Sequence, residues 1–169
     1  MKLFAIYVGG EHPGANIEVH DMRFVVAETL ADTHDRLRAQ WWGAPESLHI
    51  DCWAEITAAD GYKVFLSSEP FAGPERLYYV NLGGYDRRAF IEQHRNVFVV
   101  AKDLPAAKAR AITMATGWKD AHRDEIYEAE QAFSLDTDVQ ARGLHIHLKP
   151  LGLSAQPAFQ CRYTPLRRG

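Results

Sequence analysis

IEVHDMRFVVA at residues 17–27 and IEQHRNVFVVA at residues 91–101 are near copies of one segment. The two segments lie 74 positions apart, and each keeps a Glu-x-His followed by Phe-Val-Val-Ala. Laying residues 1–43 on residues 75–117 without a gap gives fourteen identities in forty-three positions. This internal similarity predicts a tandem repeat of two units within the chain.

Each unit follows the same order of predicted elements. It opens with an apolar run ended by Gly-Gly, residues 3–8 in the first unit, which is typical of a buried strand. A second strand follows, and then a helix that begins near Thr29, with Asp32 three positions later, and ends at Gly43. Two alternating runs on either side of residues 60–61 predict a closing β-hairpin. The predicted unit is therefore β-β-α-β-β, and the predicted fold class is α+β.

The predicted domain organisation follows from this repeat. Residues 1–66 form the first unit, residues 67–75 form a linker rich in Pro and Gly, and residues 76–149 form the second unit. Residues 150–169 are a C-terminal tail, in which residues 158–163 are a candidate edge strand. Because a lone unit of this size would bury only about 60% of its unfolded surface, we expect the two units to pack as a pseudo-two-fold pair.

Composition limits the class of protein. Hydrophobic residues make up 47% of the chain and charged residues 24%, which is typical of a soluble globular protein. The N-terminal apolar run is too short for a secretory signal or a membrane span, so we expect a cytoplasmic protein that does not bind membranes. The chain has no dense basic face, which disfavours nucleic acid as a partner. Cys52 and Cys161 lie far apart in unlike contexts and are interpreted as free thiols.

Several strings in the sequence resemble a known bacterial family. These strings are MKLFAIYVGG, PGANIEVHDMRFVVAET, LYYVNLGGYD, HRNVFVVA and HIHL. They look like the family catalogued as domain of unknown function number fifteen-forty-three, over roughly residues 2–149. The resemblance implies a small bacterial protein with one or two copies of the domain. It implies no activity, and it supplies no mechanism or catalytic residue.

Two polar dyads, repeated in both units, are the candidate ligand-binding residues. The dyads are Glu-x-His and His-x-Asp, and their residues are Glu18, His20, His49 and Asp51 in the first unit and Glu92, His94, His122 and Asp124 in the second. Residues i and i+2 of an extended segment point the same way, so each dyad would place an imidazole beside a carboxylate. That pairing can orient a tautomer, shift a pKa or complete a divalent-metal site. The alternative is that these residues brace loops through backbone hydrogen bonds.

A separate pair, His145 and His147, alternates with apolar neighbours along a predicted strand. The two imidazoles would lie on one strand face, about 6 to 7 Å apart, a spacing that suits two ligands of a zinc or similar ion. An exposed strand face also tolerates histidine, and the first unit has Lys63 and Phe65 at the matching positions. The pair is therefore a candidate metal site without an identified third ligand.

The sequence leaves three functions open, and it names no cofactor. The one we favour is a binding module that holds a small ligand or a protein partner between the two units. The second is an enzyme that uses the repeated dyads in metal-assisted or acid–base chemistry. The third is a structural pseudo-dimer that forms a homo-oligomer through exposed strand edges.

Overall fold

The computed structural model describes residues 1–85, 90–114, 128–152 and 154–166. Its strands and α-helices, in chain order, are β1 (Lys2–Gly10), β2 (Val19–Ala27), α1 (His34–Gln40), β3 (His49–Glu55), β4 (Ala58–Ala59), β5 (Tyr62–Ser67), β6 (Arg76–Tyr85), β7 (Glu92–Ala101), α2 (Leu104–Met114), β8 (Glu128–Ser134), α3 (Asp136–Gln140), β9 (His145–Pro150) and β10 (Gln160–Pro165). Within these ranges, no helix has the length and apolar character needed to cross a bilayer.

The strands form three antiparallel sheets. The first sheet has the order β10-β3-β1-β2, the second β4-β5-β9, and the third β7-β6-β8. Helices and antiparallel sheets thus occupy separate parts of the fold, and the α+β class predicted from the sequence is confirmed.

The predicted closing hairpin is wrong. β3 lies between β1 and β10 instead of pairing with β5, and β8 pairs with β6 instead of β9. The turn at Asp60 and Gly61, whose φ angles are 48° and 81°, closes only the two-residue β4 onto β5. β5 then pairs along its whole length with β9. Alternating residues indicate which face of a strand is buried, but they do not indicate which strand lies beside it.

The two halves of the chain share strand order and register. β1 lies between β3 and β2, and β6 lies between β8 and β7 in the same way. Lys2 lies opposite Ala27, and the residues 74 positions later, Arg76 and Ala101, also lie opposite each other. A register shift interrupts the β1–β3 and β6–β8 pairings at corresponding points of the two central strands.

The main core lies between the first and third sheets. Its members at matching positions are Leu3, Ala5, Phe24 and Val26 from the first half and Leu77, Tyr79, Phe98 and Val100 from the second. The opposite face of the first sheet is covered by α1 through Leu37, and that of the third sheet by α2 through Ala107 and Ala111. The layers are therefore helix, sheet, sheet, helix, and residues that alternate along β1 and β6 face either the partner sheet or a helix.

The helical segments begin at polar caps. The amide and hydroxyl of Thr29 donate to Asp32 Oδ2 at 2.9 and 2.7 Å, and the Asp32 amide faces Thr29 Oγ1 at 3.4 Å. This reciprocal pair resembles a capping box, and it lies just before the 3-10 turn at Ala31–Thr33 that leads into α1. In the second half, the Ala106 amide donates to Asp103 Oδ1 at 2.8 Å, so Asp103 caps α2.

The two cysteines form a disulfide, so their interpretation as free thiols is wrong. Cys52 on β3 lies directly opposite Cys161 on β10 in the antiparallel register. The bond joins residues 109 positions apart, and nothing in the sequence near either cysteine indicates that the C-terminal segment lies beside β3. The disulfide fastens β10 to the edge of the first sheet.

Candidate functional site

Four polar side chains of the first half meet over Gly9 of β1. His20 on β2 and His49 on β3 both lie opposite Gly9 in the sheet register. Because glycine has no side chain, the two imidazoles approach each other above it, and a Cβ at position 9 would lie 2.8 Å from each ring. Glu18, just before β2, and Asp51 on β3 complete the group. We call these four residues, Glu18, His20, His49 and Asp51, the His–carboxylate cluster.

Within the cluster, the Nε2 atoms of both imidazoles face both carboxylates. His49 Nε2 lies 3.0 Å from Glu18 Oε1 and 3.3 Å from Asp51 Oδ1. His20 Nε2 lies 3.3 Å from Asp51 Oδ2 and 3.8 Å from Glu18 Oε2. Each carboxylate therefore spans the two histidines. The structure joins the two dyads of the first unit into one group, which their i, i+2 spacing alone did not predict.

His49 is the anchored member of the cluster. Its side chain is 4% exposed, and the Tyr163 ring of β10 lies 4.4 Å from the imidazole. His49 Nδ1 donates to the backbone carbonyl of Ser47 at 2.8 Å. A neutral imidazole with its proton on Nδ1 presents a lone pair at Nε2, and here that lone pair is aimed at carboxylate oxygens. Two acceptors facing each other at this distance require a cation between them, either a proton or a metal ion.

Asp51 has an unpaired oxygen inside the cluster. Its Oδ2 is buried and, among the described residues, has no hydrogen-bond partner. The nearest imidazole nitrogen, His20 Nε2, lies 3.3 Å away without hydrogen-bond geometry. Leaving a buried acceptor unpaired costs about 1 to 3 kcal/mol, so this oxygen is a position where a bound cation would stabilise the structure.

A cavity of about 480 Å³ opens between the two halves and reaches the cluster through His20. His20 lies on one wall and His94 of β7 on another. In the second half, the Tyr79 hydroxyl and the Asn81 amide both donate to Asn96 Oδ1 at 2.8 Å, which gives the cavity a polar wall. The cavity therefore combines hydrogen-bonding groups from both halves with an imidazole of the cluster.

Tyr7 connects the cavity with the cluster. Its ring is stacked on His20, with centroids 5.2 Å apart and planes 5° from parallel. Burial raises the pKa of the Tyr7 phenol, and the negative charges of Asp51 and Asp21 raise it further. Tyr7 therefore stays protonated at neutral pH and presents a hydroxyl donor at the cavity wall.

Comparison with known proteins places the cluster inside a family segment. Residues 15–66 match the family model described as Domain of Unknown Function (DUF1543). The chain is also similar to a solved structure described as the protein Il1583 from Idiomarina loihiensis, with 30% identity, a TM-score of 0.71 and 99% coverage of both chains. This chain belongs to the DUF1543 family. All four residues of the His–carboxylate cluster lie within the matched segment. No curated protein has significant similarity to the chain.

Among its described residues, the second half of this DUF1543 protein has counterparts for part of the cluster. Gly83 lies opposite His94, as Gly9 lies opposite His20, and His94 Nε2 is 4.0 Å from Glu92 Oε2. On its other side, however, Gly83 lies opposite Glu128 of β8, at the position that corresponds to a histidine in the first half.

The remaining candidates of the second unit, His122 and Asp124, lie outside the described residues. In the alignment of the two units, His122 and Asp124 are equivalent to His49 and Asp51. The strand register, however, makes Glu128 the counterpart of His49. Local similarity of His-x-Asp strings is therefore a poor guide to equivalence here, because the register of β8 on β6 determines which residue lies beside Gly83.

The pair His145 and His147 lies apart from the cluster, on β9. His147 Nε2 donates to the Glu69 carbonyl at 2.7 Å, and its ring packs between Phe65 and Phe71, at centroid distances of 5.2 and 5.3 Å. In the part of the DUF1543 chain that the structure describes, no third ligand atom joins this pair. A zinc site at these two histidines stays a prediction.

Sequence reasoning missed the cavity residues Tyr7, Asn81 and Asn96. Tyr7 lies two positions before Gly9 on the same face of β1, and Asn81 has the matching place before Gly83. That shared spacing from the repeated glycines was the available signal. The spacing alone did not show that the strand face with Tyr7 and Gly9 is the face that packs toward the other half of the chain.

Replacing Tyr79 by Phe tests the polar wall of the cavity. The Tyr79→Phe variant loses the hydrogen bond to Asn96, which should lower the free energy of unfolding by about 1 kcal/mol at neutral pH. Burial raises the pKa of Tyr79 in the folded chain. Protonated Tyr79 therefore adds to the free energy of unfolding, and this contribution is fully present below about pH 10, the pKa of tyrosine in the unfolded chain. It is lost as the pH rises from there through the pKa of Tyr79 in the folded chain. The variant should therefore lose less stability above that pH than the wild type in urea unfolding, and an equal loss in both proteins would contradict the assignment.

Proposed function

We propose that this protein binds a small polar ligand in the cavity between its two halves. The cavity itself is the observation that supports the proposal, because about 480 Å³ lies within the usual range for small-molecule sites. Its walls offer the protonated hydroxyl of Tyr7, the amides of Asn81 and Asn96, and the imidazoles of His20 and His94. Most of the lining side chains are polar, which favours a polar ligand, and polar groups at fixed positions are what orient a ligand in such a site.

We also propose that the two halves arose by duplication of one unit and are related by a pseudo-two-fold axis. The common strand order, the common β1–β2 and β6–β7 register and the paired core positions support it. Under this relation, the cavity lies where equivalent faces of the two central strands meet. His20 and His94, which occupy equivalent positions, then approach one ligand from opposite sides.

A second candidate function is catalysis on the bound ligand. It is favoured by one observation, which is that His20 belongs both to the cavity wall and to the His–carboxylate cluster. A ligand in the cavity would contact an imidazole that is itself oriented by carboxylates, the arrangement that acid–base or metal-assisted chemistry requires. A protein partner or a homo-oligomer, by contrast, has no comparable support among the described contacts.

The disulfide is relevant to the cellular compartment in which the protein is found. A cytoplasmic location stays a prediction, and a permanent Cys52–Cys161 bond would instead suit an oxidising compartment. Alkylation of free thiols in intact cells separates these two locations. Labelling of both cysteines would support a reducing compartment, and protection of both would support an oxidising one.

The cavity proposal is tested by what the protein carries when it is purified. Asn96→Leu removes the acceptor shared by Tyr79 and Asn81 and fills part of the cavity, whereas Gln160→Leu makes the same kind of change on exposed β10. We expect mass spectrometry of the extracted small molecules to find a polar compound with the wild type and with Gln160→Leu. Asn96→Leu should carry about tenfold less of it, as expected when one to two hydrogen bonds to the ligand are lost. Equal amounts in all three proteins, or none in any, would contradict the proposal.

A further inference from the structure

We propose that the His–carboxylate cluster is a site for one divalent transition-metal ion, held by Glu18, His20, His49 and Asp51. All four residues lie in the segment that matches a domain of unknown function. The inference goes beyond the cavity ligand and does not depend on it, because all four side chains belong to the first half.

The distances within the cluster fit ligands that share one ion. Nitrogen and oxygen ligands at about 2.0 to 2.1 Å from a tetrahedral ion lie about 3.3 Å from one another. His49 Nε2 lies 3.3 Å from Asp51 Oδ1 and 3.0 Å from Glu18 Oε1, and His20 Nε2 lies 3.3 Å from Asp51 Oδ2 and 3.8 Å from Glu18 Oε2. Direct charge-assisted hydrogen bonds are shorter, at about 2.7 to 2.9 Å. Glu18, His20 and His49 offer ligand atoms that all lie within 4.8 Å of one another, so these three form the core of the ligand set, and Asp51 lies beside them.

The orientation of His49 is the one a metal ligand needs. Its Nδ1 proton is donated to the Ser47 carbonyl, so Nε2 is the ring nitrogen that faces the carboxylates of the cluster. Histidines that bind metals commonly donate their other ring N–H to a carbonyl or carboxylate in this way, which fixes the tautomer and the ring plane. The buried position of His49 holds that geometry before any ion binds.

Charge and space favour an ion over an empty cluster. The two carboxylates of the cluster together offer the charge that balances a divalent cation. The buried Asp51 Oδ2 lacks a hydrogen-bond partner among the described residues and would gain a ligand bond. The missing side chain of Gly9 leaves room beside both imidazoles. Mixed imidazole and carboxylate ligands suit zinc, iron, manganese or nickel better than calcium or magnesium.

The site is expected in the first half alone. Among the residues that the structure describes, the second half has Glu128 at the register position of His49, a carboxylate in place of the imidazole. We therefore expect a stoichiometry of one ion per chain, in contrast to the two equivalent sites that an exact repetition of the dyads would give.

Gly9→Ala tests the geometry without removing a ligand. The added Cβ would lie 2.8 Å from His20 Cδ2 and from His49 Nε2, so one imidazole must move. At Gly14, by comparison, the nearest atoms to an added Cβ belong to His12 and lie 3.4 and 3.5 Å away, so Gly14→Ala serves as the matched control. Gly9→Ala should weaken zinc binding at least tenfold, and Gly14→Ala should leave it unchanged.

The direct test is calorimetric titration of Zn²⁺ into the tag-free, chelator-treated chain. We expect one Zn²⁺ per chain, and at least a hundredfold weaker binding for His20→Gln and for Glu18→Gln, which change partly exposed side chains and leave the buried His49 in place. The double variant His145→Gln/His147→Gln separates this site from the candidate pair on β9, and we expect it to bind Zn²⁺ like the wild type. Circular dichroism of each variant confirms folding.

Three outcomes would overturn the metal site. These are no binding of Zn²⁺ to the wild type, binding that His20→Gln and Glu18→Gln leave unchanged, and binding lost in His145→Gln/His147→Gln instead. Asn96→Leu should keep its Zn²⁺ affinity even if it loses the cavity ligand. Failure of the metal site and failure of the cavity proposal therefore give different results.

Discussion

Loss of the Cys52–Cys161 disulfide should lower the free energy of unfolding by about 4 to 5 kcal/mol, the largest single effect we expect. The bond closes a loop of 109 residues, and the chain-entropy account gives about 4.7 kcal/mol for a loop of about 100 residues. Urea unfolding of the wild type with and without reductant measures the change. The Cys52→Ser/Cys161→Ser double variant should match the reduced wild type and should not respond to reductant.

The disulfide should also affect the His–carboxylate cluster. It holds β10 against β3, and β10 carries Tyr163, whose ring lies against His49. Reduction should therefore increase the solvent exposure of His49 as well as lowering stability. Unchanged stability in the double variant would mean that β10 stays in place without the bond, and the proposed role of the disulfide as its fastening would be wrong.

Asp60→Asn should lower the free energy of unfolding by about 1.5 to 3 kcal/mol, as expected for hydrogen bonds to a charged group. The Asp60 side chain is 6% exposed and lies in the β4–β5 turn of the first half. It accepts hydrogen bonds from the Val100 amide at 2.9 Å and from Arg110 Nη2 at 2.6 Å, both in the second half. The carboxylate therefore links a turn of one half to β7 and α2 of the other.

Asparagine removes the charge of Asp60 without straining the backbone, because it tolerates the positive φ of 48° that the turn requires. Arg110 is 52% exposed and can turn to water when its partner is lost, which limits the cost of the change. The matched control is Asp35→Asn, since the Asp35 carboxylate also pairs with an arginine, Arg38, but is 99% exposed. Asp35→Asn should have no measurable effect. Equal unfolding midpoints for the two variants in urea would contradict a role for Asp60 in joining the halves.

Local features of the fold were predictable from the sequence. The similar segments at residues 17–27 and 91–101 became β2 and β7, whose registers on β1 and β6 correspond. The pair Thr29 and Asp32 marked the start of a helical segment because the capping interaction spans only three residues. Each of these signals is short in sequence, so periodicity and caps were sufficient.

Long-range pairings were not predictable in the same way. β5 pairs with β9, and β3 with β10, although a whole half of the chain separates the partners in each pair. For the same reason, the sequence presented Glu18 and His20 as one dyad and His49 and Asp51 as another. Only the placement of β1 between β2 and β3 brings both dyads over Gly9.

The most direct measurement of the central claim is a long-range proton–nitrogen NMR correlation of the imidazole rings during addition of one equivalent of Zn²⁺. We expect the signals of Nε2 of His20 and of His49 to shift together, and Nδ1 of His49 to keep its proton in the hydrogen bond to the Ser47 carbonyl. Histidine signals that do not respond, or a response confined to His145 and His147, would contradict it.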